Sequence, residues 1–448
     1  MRIVIPSTGS RGDVQPYLAL ALGLQAAGHK VRLATHSDFA DWVTSCGIGF
    51  FPIEDGARAL HETEAGQRMI GANGDPFAFM RWYARLREPL MAGLMSRCLA
   101  ACRDADLILV TTTAFFPGHS VAEKLGVPAW LASLQPTNPS RDFPNCLFPD
   151  GPRWPGFREV YNLGTHFLAG EYWWQQVRSA VNQARQQVLG LPPLPFLGPP
   201  PSMFSEVPTL YGFSAAVLPR PTDWGPGHEI TGYWFLDHPA DWRPPSELVR
   251  FLETGSPPVC AGFGSMRHPA AEEATALVEE ALEQVGQRGI LLTGWGGLAR
   301  YRGSDRIFVA DSVPHDWLFP RTAAVVHHGG AGTTAAACRA GVPSVIVPFM
   351  ADQSFWGHRI QALGVGPAPI PRGQLSVERL AHALHTALSD PIMRRKAAAL
   401  GERLRAEDGV ARAVAVVQEN ATPRQPHPPW PAPKQTSGDH GLRHTVRR

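Results

Sequence analysis

Short apolar runs alternate with segments of helical period along most of the chain. Residues 2–7 form an apolar run that stops in Thr8-Gly9-Ser10-Arg11-Gly12. Residues 14–27 follow with Tyr17, Leu18, Leu20, Ala21, Leu22 and Leu24, an apolar helical pattern closed by Gly28. The same logic predicts strands at 30–35, 107–112 and 128–133, and helices at 39–45 and around 119–125. A second series starts near residue 258, with strands predicted at 258–264, 289–294, 307–310, 323–328 and 344–349. Its helices are predicted at about 270–285, 316–319, 333–340 and 353–363. Strands that are continuously apolar rather than alternating, each followed by a helix, predict parallel sheets covered on both faces. The expected architecture is α/β: two Rossmann-like domains whose strand carboxyl ends face a central cleft.

The predicted division is 1–218, 219–403, a closing helical segment at 404–420 and a disordered tail at 421–448, where prolines and histidines crowd together. Residues 136–205 lack a clear period. Trp154, Phe157, Tyr161, Phe167, Tyr172, Trp173 and Trp174 gather there, fit either for a core layer or for the wall of a bulky apolar ligand site.

Composition narrows the function. The 448 residues include 18 % charged and 44 % hydrophobic positions, with 44 glycines and 43 prolines in no repeat. That excludes collagen, coiled coil and wholesale disorder. A net charge of +2 gives no reason to expect nucleic acid. The six cysteines form no Cys-x-x-Cys pair and no zinc spacing, so no metal is expected. No apolar run reaches membrane-spanning length, and residues 1–13 read as a strand and turn rather than a leader, which predicts a cytoplasmic location.

The chemistry concentrates at the ends of predicted strands. Val325-Val326-His327-His328-Gly329-Gly330-Ala331-Gly332-Thr333-Thr334 leaves an apolar strand and opens a helix. Backbone amides at a helix N-terminus, threonine hydroxyls and an imidazole donor make a diphosphate cradle, and the absent Gly-Lys-Ser/Thr separates it from a P-loop. Asp352 and Gln353 follow the next strand with an acid and an amide suited to vicinal hydroxyls, although Asp352 also fits a helix cap. Gly264-Ser265 ends another strand and can add amides and a hydroxyl. In the first half, Asp13 stands at a helix start, where it can cap, or take a proton from a hydroxyl in the cleft; Arg11 beside it can offset phosphate charge.

Together these residues resemble the GT-B nucleotide-sugar glycosyltransferases of the UDP-glycosyltransferase superfamily, nearest to bacterial natural-product enzymes, those of antibiotic biosynthesis included, and to sterol glucosyltransferases. The likeness rests on Gly9-Ser10-Arg11-Gly12-Asp13-Val14-Gln15-Pro16, Pro314-His315-Asp316-Trp317-Leu318-Phe319-Pro320, the 327–334 run, Arg339-Ala340-Gly341-Val342-Pro343, and Pro348 through Asp352-Gln353. It implies an acceptor domain at 1–218 and a donor domain at 219–403. It also implies an inverting, metal-independent transfer of a hexose from UDP or dTDP to a hydroxyl of a lipophilic small molecule, with the nucleotide sugar as co-substrate and no cofactor. Asp13 occupies the position of the catalytic base. Ser10, Arg11, Gly12, Gly264, Ser265, Val313, His328, Gly330, Ala331, Gly332, Thr333, Asp352 and Gln353 fall at donor-binding positions, Val313 at the nucleobase.

Two positions depart from the plant members: Ser312 stands where they stack a tryptophan on the base, and Ala336 where a glutamate holds the ribose. Trp295 is a candidate replacement for the stacking. The rival functions are a sugar-nucleotide epimerase on the same fold, which needs no second substrate, and a non-catalytic glycosyltransferase-like activator.

Overall fold

Twelve short strands build two separate parallel sheets in the computed structural model, which describes residues 1–72, 74–151, 154, 156–198, 206–266, 271–299 and 304–421. The predicted tail from residue 422 onward lies outside the described residues. The first sheet contains β1 (Arg2–Pro6), β2 (Lys30–His36), β3 (Gly49–Glu54), β4 (Leu107–Thr111), β5 (Ala129–Ser133), β6 (Thr209–Tyr211) and β7 (His228–Ile230), in the order β3-β2-β1-β4-β5-β6-β7. The second contains β8 (Val259–Gly262), β9 (Gly289–Leu292), β10 (Ile307–Ala310), β11 (Ala324–His327) and β12 (Ser344–Ile346), in the order β10-β9-β8-β11-β12. Every strand pairing in both sheets is parallel.

The inner strands are buried on both faces: every residue of β4, β5, β9, β11 and β12 is buried, as their continuous apolar runs predict. Each sheet reverses its strand order once, between β1 and β4 and between β8 and β11. Loops that leave a parallel sheet on either side of such a reversal splay apart and open a crevice at the strand carboxyl ends. Residues 7–10 and 112–114 border the first reversal, and 263–266 and 328–330 border the second.

The first sheet takes in β7, so it runs beyond residue 218. The chain also returns to it at the end. Helix Gly409–Asn420 lays Val410 and Val414 against Gly23 of helix Arg11–Ala26, and the core cluster there holds Ile3, Ile5, Leu18, Ala413 and Val417 together. Among the described residues, no helix is long and apolar enough to cross a membrane.

The irregular 136–205 stretch contains one long helix, Phe157–Ala184. It divides the predicted aromatic group: Trp174 is in the core under Phe116, whereas Trp154, Phe157 and Phe167 are exposed.

Candidate functional site

The turn after β1 holds Asp13 by a local bond. Ser10 caps helix Arg11–Ala26, and its N–H donates to Asp13 Oδ2 at 2.8 Å, with the Ser10 hydroxyl at 3.1 Å from the same oxygen. Asp13 therefore does serve the helix start, yet its carboxylate also borders the crevice. Burial pushes its pKa up to about 6; the Ser10 bonds pull the other way, and the charge of Asp352 across the gap adds to the rise. Gly9 is required here. It sits at φ +122°, and a Cβ on it would come within 2.5 Å of Asp13 Oδ2.

A second layer fixes that turn. Gly9 N–H donates to His36 Nε2 at 2.8 Å, and His36 Nδ1 lies 2.7 Å from the Asp55 carbonyl. The imidazole is therefore the neutral Nδ1–H tautomer, in accord with burial lowering its pKa. Glu54 stands 3.3 Å from His36 and 2.8 Å from buried Arg87. Beneath Gly9 a small cavity of about 40 Å³ is lined by His36, Leu60, Met69, Tyr83 and Arg87 among others. None of these residues is apparent from the sequence, because strand β2 and the helices at 57–87 bring them together from separate segments.

On the facing sheet, helix Ala331–Ala340 begins at Gly330 with no side-chain cap, so its first amides point unshielded into the crevice. Ala331 packs toward the cluster that holds Val14 and Leu18, which brings this helix start up to the one at Arg11. Two positive helix ends thus meet at one gap. His328 lies between the turns after β8 and β11: a Cβ on Gly264 would be 3.2 Å from its Cε1, and one on Gly330 2.5 Å from its Nε2. Its Nδ1 is buried without a partner, and burial with the nearby His315 lowers its pKa to about 4, so the ring is neutral. His327 is structural, its Nδ1 accepting from Gly329 N–H at 3.1 Å. Gly332 is exposed, Ser265 and Thr333 are half-buried, and Val313 is buried. Arg11 places its guanidinium over Trp42 at 4.9 Å, and its charge reaches His315, which opens the short helix His315–Leu318 after β10.

The loop after β12 completes the gap. Asp352 does not cap the helix it precedes; its Oδ2 accepts from Trp356 Nε1 at 2.7 Å. Burial raises its pKa, against the opposing pull of Trp356 and of the Gln135 side chain from the loop after β5. Gln353 turns its carbonyl inward, accepting from the Phe349 and Met350 amides at 2.8 and 3.1 Å, which leaves only its NH2 group, near Met266 Sδ, for a ligand. Ala351 between them sits at φ +53°, the one described non-glycine residue with positive φ. Trp295, like Ala331, packs against the first sheet's cluster.

Residues 3–139 match the model of the glycosyltransferase family 28 N-terminal domain, and 303–419 that of the erythromycin biosynthesis protein CIII-like C-terminal domain. The chain is 38 % identical over 427 residues to the sterol 3-beta-glucosyltransferase UGT80A2 of Arabidopsis thaliana, covering 92 % of this chain and 64 % of that one. It is 38 % identical over 451 residues to UGT80B1 of the same plant, covering 98 % and 71 %. The chain thus spans about two thirds of the length of these plant relatives. Among solved structures, the glycosyltransferase VinC in complex with dTDP has a TM-score of 0.63 at 19 % identity, over 94 % of this chain and 99 % of that one, a likeness of fold.

Proposed function

Because the chain belongs to the GT-B glycosyltransferase family of the sterol glucosyltransferases, we propose that it moves a hexose from UDP or dTDP to a hydroxyl of a lipophilic small molecule, a sterol or a natural-product aglycone. The observation that carries this reading is the meeting of Asp13 and the uncapped start of helix Ala331–Ala340 across one crevice.

Asp13 takes the acceptor proton as the hydroxyl attacks the anomeric carbon. A carboxylate with a pKa near 6 is a better base than an ordinary aspartate and is still ionised at neutral pH. The nucleotide diphosphate leaves on the opposite side. Amides of 330–333, a neutral hydrogen bond from His328 and the turn at Gly264-Ser265 receive its growing charge, assisted by Arg11 and the two helix ends. Attack and departure on opposite faces invert the anomeric centre, and helix dipoles with oriented amides supply the stabilisation without a metal. Asp352 and the Gln353 amide face the sugar. The cavity under Gly9, with Leu60, Met69 and Leu86 on its walls, receives the reacting end of the acceptor.

The test is to incubate the protein with UDP- and dTDP-hexoses and a panel of sterols and polyketide aglycones, and to follow products by mass spectrometry and anomeric configuration by NMR. The reading expects an aglycone-hexoside of inverted configuration. Conversion of the nucleotide sugar alone, with no aglycone product, replaces it with the epimerase.

A further inference from the structure

Arg87 ends helix Pro76–Arg87 and is only 5 % exposed. An arginine at that depth needs its charge paired and its N–H groups bonded. The charge is paired: Nη1 donates to Glu54 Oε2 at 2.9 Å and lies 2.8 Å from Oε1. Burial works against the guanidinium charge, but Tyr83 and Glu54 outweigh it, so the group stays protonated. The N–H groups are only partly met. Nη2 is buried without a partner, and Nε makes no hydrogen bond to any described residue. One nitrogen of the fork is used and two are left. A buried donor left unmet is costly, so such a group calls for a partner that binds there.

A second free donor stands one turn away. Tyr83 precedes Arg87 on the same helix face, and both line the cavity under Gly9. The Tyr83 ring is held between Phe79, nearly parallel at 5.9 Å, and Trp173 at 5.3 Å. Its hydroxyl makes no hydrogen bond to any described residue. Burial raises its pKa, Arg87 opposes, and the charges of Glu54 and Asp13 add to the rise, so the phenol keeps its proton. Ala57, Leu60, Met69 and Leu86 form the apolar part of the wall. About 40 Å³ of space holds a few water-sized groups, at ~10–15 Å³ each, and not the body of a lipophilic aglycone. What fits is a polar corner of a larger molecule.

Position and charge choose that corner. Gly9 is a wall of the cavity and also abuts the base, since a Cβ on it would come within 2.5 Å of Asp13 Oδ2. A group in the cavity therefore lies beside the hydroxyl presented to Asp13. Glu54 already balances Arg87, His36 is neutral, and Asp13 is ionised at neutral pH. Two carboxylates against one guanidinium disfavour a further anion, whereas a neutral oxygen offers the two donors the lone pairs they lack. We propose that Arg87 and the Tyr83 hydroxyl bind a neutral oxygen of the acceptor, a ketone or hydroxyl on the carbon next to the reacting one. The enzyme then selects acceptors oxygenated at adjacent carbons over those with a lone hydroxyl. This subsite rests on the acceptor reading above and narrows it.

Matched acceptors test it: cholesterol with 4β-hydroxycholesterol, and 2-hydroxyanthraquinone with 1,2-dihydroxyanthraquinone. For each pair, binding without donor is measured by equilibrium dialysis, and kcat/KM is measured with nucleotide sugar. The wild type should favour the vicinally oxygenated member of at least one pair by about tenfold or more in both measurements, the worth of a hydrogen bond from a charged donor. Arg87→Lys keeps a cation for Glu54 but has no fork, and should bring the ratio close to one. Tyr83→Phe removes only the hydroxyl and should lower the ratio about threefold or more. Calorimetry reports whether each variant folds; if Arg87→Lys does not, Tyr83→Phe decides. A wild-type ratio near one for both pairs, or a ratio that the folded variants leave unmoved, overturns the proposal and gives the free donors to an ordered water. A binding preference without any transfer would keep the subsite and remove the acceptor reading; transfer to both members at equal rates would do the reverse.

Discussion

Asp13 carries two opposed demands. Its bond from Ser10 favours the ionised form, burial disfavours it, and burial wins, leaving a pKa near 6. As the base, it must be ionised, so kcat/KM for the acceptor should rise with pH through about 6 and level above it. Asp13→Asn should lower kcat by about 10²–10⁴-fold with donor binding retained; a variant as fast as the wild type removes Asp13 from the chemistry. The same shift predicts a stability effect of opposite sense. The folded pKa lies above the unfolded value of 3.8, so the folded state holds the proton more tightly. The contribution of Asp13 to stability is therefore whole below about 3.8, falls as pH rises to about 6 and stays low above it. Asp13→Asn should match the wild type in thermal unfolding at the acid end and melt higher above about pH 6; a gap independent of pH contradicts this. The places of Asp13 and His328 at the crevice were legible in the sequence because Asp13 follows and His328 precedes glycine-containing turns where apolar strands end. His36 was not, because Gly9 is 27 positions away and only the pairing of β1 with β2 joins them. His36→Phe leaves the half-buried Gly9 N–H without its acceptor, at a cost of about 1 kcal/mol. It should slow turnover and shift the acid limb of the pH profile, and His36→Gln, whose carbonyl can accept that N–H, should restore part of both. A stability loss with an unmoved pH profile would make His36 purely structural.

At the scale of elements, most strands and helices of both sheets lie within two or three residues of their predicted bounds, because parallel strands buried on both faces are the plainest apolar runs a sequence contains. The exceptions have local reasons. β3 carries Pro52 and Glu54 within six residues, and β6 and β7 are three residues each, too short to show a period. Helix Phe157–Ala184 escaped because its pattern changes along its length: the first half exposes Phe157, Val160, Phe167 and Leu168 and buries Asn162, Thr165 and His166, whereas the second half buries Trp174, Val177 and Val181. The turn at 349–353 lies between a strand and a helix as predicted, yet its internal bonding was not visible: Gln353 spends its carbonyl on the Phe349 and Met350 amides. That closure holds Ala351 in the left-handed region, where an L-residue is strained by about 1–2 kcal/mol. Ala351→Gly removes the strain and should raise the unfolding free energy by up to about 1 kcal/mol, while the loosened turn raises KM for the nucleotide sugar. Calorimetry with donor kinetics checks both; a variant that is destabilised would show that the turn needs its methyl group against the second sheet's core.

The whole molecule is built so that its two switch points face each other, and the closing helix keeps them there. Helix Gly409–Asn420 follows the second unit in sequence but packs on helix Arg11–Ala26, the element that begins with Ser10, Arg11 and Asp13. Ser214 Oγ to Glu407 Oε1 at 2.6 Å and Gln15 Nε2 to the Leu236 carbonyl at 3.2 Å add polar ties across the same seam. The near-zero net charge fits the proposed function, in which oriented amides and Arg11 rather than a basic surface would meet the diphosphate. Val414 is 8 % exposed and meets Gly23 in the middle of the contact. Val414→Asp places an unpaired charge there, at a cost of about 3–5 kcal/mol. The loss falls on the helix that positions Asp13, the proposed base, whereas the turn and helix start at 328–333 follow a strand of the second sheet. Transfer should therefore drop steeply while UDP or dTDP still binds, with calorimetry showing an earlier, broader unfolding transition. Nucleotide affinity that falls in step with stability would mean instead that the two sheets unfold as one unit, and that the seam does more than orient Asp13.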